Sequence, residues 1–156
     1  MELPCGNRGV FLGVRKMERL LIEADDFKMS QSGIDGALFF KAEETCFPAA
    51  GWRDLTSTAL EQWIPVVVSF AMRHTDCCDL PFFDGPYELR LARVVDDVCA
   101  AGFCNGKEVL QSREVDMQSL LRSFVKAVRR YNRFRHESGL EPVFTKELSI
   151  LHDILT

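Results

Sequence analysis

The chain has 156 residues, 47% hydrophobic and 27% charged, with 19 Lys and Arg against 23 Asp and Glu for a formal net charge of −4. That length suits one core rather than two. The acidic balance weighs against a nucleic-acid backbone, which needs clustered Lys and Arg, and suits a basic protein partner. No apolar run reaches bilayer-spanning length and the N-terminus lacks the long apolar region of a signal peptide, so a cytoplasmic protein with no membrane partner is expected.

Residues 1–16, MELPCGNRGVFLGVRK, carry no clear periodicity and are read as an N-terminal extension to a single domain over 17–156. LLIEADDFKMS is competent for a strand, QSGIDG supplies turn residues, and ALFFKAEETCF alternates, with Ala37, Phe39 and Lys41 on one face and Leu38, Phe40 and Ala42 on the other. The two segments predict an antiparallel hairpin. FPAAGWRD breaks the sheet. Asp54 then stands where an N-cap is wanted, before a helix from Leu55 to about His74 with Leu60, Trp63, Val67, Phe70 and Ala71 at helical spacing. Trp52 is placed to staple its start. Pro65 falls inside it and should kink it; the β-branched run IPVVVSF offers a short strand as the competing reading.

RHTDCCD reads as a turn. Next, FFDGPYELRL combines an Asp84-Gly85-Pro86 break with a strand in which Tyr87, Leu89 and Leu91 alternate with Glu88 and Arg90. VVDDVCAAGFC and KEVLQSREV flank Asn105-Gly106, a strong hairpin signal; a two-residue turn there sets Phe103 opposite Glu108 and Cys99 opposite Ser112. Met117, Leu120, Leu121, Phe124, Val125, Val128 and Tyr131 recur at helical steps, capped by Asp116 or Ser119 and ended by Gly139 and Pro142. TKELSILHDIL closes the chain as a short helix with Leu148, Leu151 and Leu155 on one stripe. The predicted class is α+β: an antiparallel sheet of about five strands with two main helices on one face, in the order β-β-α-β-β-β-α plus a short C-terminal helix.

Chemistry-bearing residues are few. Asp84 is a carboxylate on a turn between aromatics, but no second carboxylate accompanies it at acid/base spacing, so it is read as a sheet corner. His74, Asp76, Cys77, Cys78 and Asp79 have metal-ligand chemistry, yet adjacent cysteines and a missing second pair are poor geometry for zinc; neither a metal nor a cofactor is predicted. The six cysteines, Cys5, Cys46, Cys77, Cys78, Cys99 and Cys104, are expected to be mostly reduced thiols. KAVRRYNRFRH carries Lys126, Arg129, Arg130, Arg133 and Arg135, read as a solvated helix face, with a phosphate or acidic partner as the functional reading. The pairs Asp25-Asp26, Glu43-Glu44 and Asp96-Asp97 are read as one acidic sheet edge or as protection against edge pairing. There is no phosphate-binding Gly-rich loop, no G-x-S-x-G and no H-E-x-x-H.

Phe47-Pro48, Trp52, Asp54, Trp63, Asp84-Gly85-Pro86-Tyr87 and Glu88 carry a resemblance, over roughly residues 17 to 136, to small bacterial α+β proteins of the polymorphic-toxin immunity type and their uncharacterised relatives. The resemblance implies a non-enzymatic module that binds and neutralises a protein, a basic toxin domain, through its acidic surface. The binding residues expected on this reading are Asp84, Tyr87, Glu88, Trp52, Asp96 and Asp97. The alternative is a small enzyme or ligand-binding domain with a pocket near Asp84 and Cys77.

Overall fold

A computed structural model describes residues 17–156; the expected extension 1–16, and Cys5 with it, lies outside the described residues. The fold is α+β and antiparallel, but the strands form two four-stranded sheets. In the first, β1 (Leu20–Ser30) pairs one side of β2 (Gly33–Ala42), and the short β3 (Thr45–Phe47) and β4 (Arg53–Asp54) pair the other. The second has the order β5 (Cys77–Pro81), β6 (Tyr87–Val95), β7 (Val98–Asn105), β8 (Glu108–Asp116). Helix α1 (Thr56–Ala71) joins the sheets, and α2 (Met117–Glu137) and α3 (Thr145–Leu155) end the chain. The expectation of about five strands fell short because β3 and β4 are too short to show alternation and β5 lies inside the Asp- and Cys-containing stretch read as a turn.

Period-two burial explains the sheets. Leu20, Ile22 and Ala24 of β1, Leu38 and Phe40 of β2, and Leu89, Leu91, Ala101 and Phe103 of the second sheet all point into one core. Helix α1 lies against both β2 and β5, so its buried face of Leu60, Trp63, Ile64 and Val67 serves both sheets. The helix runs through Pro65, whose ring sits on the exposed side; the strand alternative for IPVVVSF is not adopted. Helix α2 lies along β1, where the buried Ser123 hydroxyl accepts the Ile22 N–H at 2.9 Å and donates to the Leu120 carbonyl. One side chain thus satisfies a free N–H on the strand. Asp116 caps α2 by accepting the Ser119 N–H, and Gly139, at φ +78, closes it while the Leu140 N–H returns to the Arg135 carbonyl, the left-handed ending that glycine adopts without strain.

The sheets meet at a narrow seam. Glu18 bridges to Val115 of β8, and Arg113 on β8 reaches Glu18 by an ion pair and the Thr45 hydroxyl at 2.9 Å. Beside α1, the buried Arg93 of β6 donates to the carbonyls of Phe70 (2.6 Å) and Asp96 (2.9 Å), touches the Met117 sulfur and lies over the Phe70 ring. Its partners are the end of α1, the β6–β7 turn and the first residue of α2.

Candidate functional site

The residues expected at a binding site fall in two distant places. Trp52, Tyr87 and Asp84 share a corner. The Trp52 ring meets Tyr87 edge-on at 5.5 Å, and a Cβ on Gly85 would stand 3.2 Å from the Trp52 ring, so glycine permits the close approach of the bend. The residue that builds this corner is Asp54, which is buried. Its carboxylate accepts the Trp52 indole N–H at 3.0 Å, the Leu55 N–H at 2.8 Å, the Phe83 N–H at 3.0 Å and the Asp84 N–H at 3.2 Å. Asp54 is therefore no helix cap: Leu55 holds that position without a side-chain bond. Trp52 is held by Asp54 and not as a staple. Asp84 sits on the exposed bend after β5, as a corner residue should, but the corner's bonds end on Asp54. Phe83 beside it is exposed, and an open groove of about 370 Å3 runs from Phe83 and Asp84 to Asp35 and Arg53.

Glu88 leaves this corner, pairing with Arg90 at 2.7 Å on the strand's other face. Asp96 and Asp97 form the β6–β7 turn beyond the far end of β6, a strand of about 26 Å from Tyr87 to Val95 at roughly 3.3 Å per residue. The acidic pairs do not make one edge. Asp25-Asp26 occupies a bulge in β1, Glu43-Glu44 turns β2 into β3, and Asp96-Asp97 turns β6 into β7. Each pair contributes one residue of positive φ: Asp26, Glu43 and Asp96. Turn position accounts for Glu43-Glu44 and Asp96-Asp97 more directly than edge protection, and aspartate, being short and polar, suits the positive φ of Asp26 and Asp96. Cys77 and Asp84 stand at opposite ends of β5, and the groove at Asp84 is lined without Cys77. Cys77 is disulfide-bonded, which corrects the reduced-thiol expectation at that position. Cys46, Cys78, Cys99 and Cys104 are free. Burial raises the thiols of Cys78, Cys99 and Cys104, Cys99 to about 12. Among the described residues no three His, Cys, Asp or Glu side chains converge as metal ligands.

The larger concave feature lies elsewhere. Helix α2 presents Arg122, Lys126, Arg129, Arg130 and Arg133 to a groove of about 580 Å3, whose second wall is His152 and Leu155 of α3 with Thr156 just after it. The five cations stand at i, i+4, i+7, i+8 and i+11, one face of a helix. Val125 and Leu155 supply an apolar floor, and no acidic side chain lines it. None of the five is ion-paired among the described residues, whereas Arg53, Arg90 and Arg113 all are. Arg135, grouped with these cations in the sequence, turns away to the Glu141 carbonyl at 2.8 Å. Arg122 escaped the sequence reading because it lies outside the contiguous basic run; extending the four-residue step back from Lys126 finds it. Helix α3 is held as a wall by Asn132 of α2, whose amide donates to the Val143 carbonyl and accepts the Val143 N–H, and by the burial of Leu151.

No protein-family model, curated protein or solved structure matches the chain.

Proposed function

We propose that the protein is a non-enzymatic protein-binding module of the immunity type, which docks on another protein and blocks it, and that the α2–α3 groove is its docking face. One observation carries this reading. A chain of net charge −4 gathers five cations on one concave face whose lining has no acidic side chain and where none of the five is ion-paired among the described residues, although Glu23 lines an adjoining hollow with Lys126 and Arg130. Keeping like charges together costs stability, and an acidic partner surface recovers it while steering association. The net charge taken alone favours a basic partner; the local distribution favours an acidic patch on that partner.

A second reading seats a basic partner on the Asp84 corner, favoured by the exposed Phe83 beside Asp84 on an open groove. The test is co-expression with the product of the adjacent gene, scored for protection of the cells and for co-purification. Arg129→Glu with Arg130→Glu should abolish both; Phe83→Ser with Asp84→Lys should leave both intact. The reverse pattern moves the docking face to the corner. An adjacent product that is neither bound nor neutralised removes the immunity-type reading.

A further inference from the structure

The geometry points to the chemistry of the groove's occupant: we propose that it takes an acidic, amphipathic helical segment of a partner protein, laid along α2. This rests on the reading of the groove as a docking face. From Arg122 to Arg133 the cations span about 16 Å at roughly 1.5 Å per residue, three turns of helix. They repeat once per turn, with Arg129 and Arg130 together supplying the third turn from the two edges of the stripe. A helix with carboxylates at three- and four-residue steps repeats at the same pitch, so one register pairs every turn. The floor of Val125 and Leu155 receives an apolar side chain from the same face. Arg fits such carboxylates well, since its planar fork binds them bidentately.

Single-stranded nucleic acid fits less well. Its sequence-tolerant binders stack bases on aromatic side chains, and neither Phe, Tyr nor Trp lines this groove. The acidic excess of the rest of the chain also opposes a polyanion that extends beyond it.

The experiment uses fluorescence anisotropy with the full chain at physiological salt and three probes. The first is a labelled helical peptide of about fifteen residues with Glu at four-residue spacing and one Leu on the same face. The second is its scramble, equal in composition with the Glu residues spread around the helix. The third is a single-stranded oligonucleotide of equal charge. The patterned peptide should saturate and bind at least tenfold tighter than the scramble. Arg129→Ala with Arg130→Ala should weaken it at least tenfold, Leu155→Ser severalfold, and the remote Lys41→Ala not at all. Circular dichroism of each variant confirms that it is folded. Equal binding of the two peptides overturns the helical register, a tighter oligonucleotide overturns the protein occupant, and no saturable binding of any probe overturns the site. Loss of the co-purified partner in the charge-reversal variant, together with equal binding of both peptides, keeps the docking face and rejects only the helix.

Discussion

Two aspartates thirty residues apart show what the sequence hides. Asp84 stands in an Asp-Gly-Pro turn and looks like the residue that makes it, yet the carboxylate holding that turn is Asp54. Turn chemistry is local and readable; an acceptor reached through the fold from thirty positions away is not. Asp54→Ala should cost about 3 kcal/mol, because it strips acceptors from donors that the corner encloses, while Asp84→Ala should stay within about 0.5 kcal/mol. Urea unfolding of the two variants measures both; equal losses would return the corner to Asp84. The thiols give a second residue-scale test. Burial holds Cys78, Cys99 and Cys104 above the ordinary thiol range, with Cys99 at about 12. The unfolded chain therefore releases these protons first. Their contribution to stability is complete below about pH 9 and is lost as pH rises through the folded values, at up to about 1.4 kcal/mol per unit for each thiol. Tyr131, also raised chiefly by burial, adds to the loss above about pH 10. Cys99→Ala should flatten this alkaline slope, read from denaturation midpoints between pH 8 and 11.

Among the elements, those with long apolar periods were legible: α2 and α3 fall where their Leu and Val steps place them, and Thr145–Leu155 matches to the residue. The β7–β8 hairpin exists, but its register differs from the expected one. The turn residues are Gly106 and Lys107, so Asn105 faces Glu108, and a bulge at Leu110 shifts the rest until Cys99 faces Val115. An Asn-Gly pair marks a turn strongly, but neither its exact position nor a bulge leaves a mark in alternation that short. In α1, the cost of Pro65 is met by packing of the buried stripe on both sheets. The proline leaves the Glu61 carbonyl without its helical donor. Because its ring is on the exposed side, Pro65→Ala should stabilise the protein by about 1–2 kcal/mol after the lost unfolded-state restriction is counted. Thermal unfolding checks the sign; a lower melting temperature would show that the ring itself is packed.

At the scale of the whole molecule, sequence reading captured the class and missed the division into two sheets. Nothing local separates one antiparallel sheet from two, since the choice is made by α1 filling the space between β2 and β5. The basic groove was half-legible for the same reason: its cations lie on one helix, but its second wall comes from α3. The core cluster draws on both sheets and all three helices, so unfolding should be a single transition. Tryptophan fluorescence and far-ultraviolet circular dichroism should give coincident denaturation curves, and separated midpoints would show that the sheets unfold apart. Arg93 carries this unity into kinetics. Its guanidinium needs the end of α1, the β6–β7 turn and the start of α2 all in place; the turn is local, but Phe70 and Met117 come from more than twenty residues away on either side. Contacts so distant in sequence are assembled only after long loops have closed. The junction therefore belongs on the native side of the folding barrier, and Arg93→Lys, which loses part of the donor fork, should leave the refolding rate nearly unchanged while unfolding accelerates. In stopped-flow terms, the right arm of the chevron rises and the left arm stays where it was.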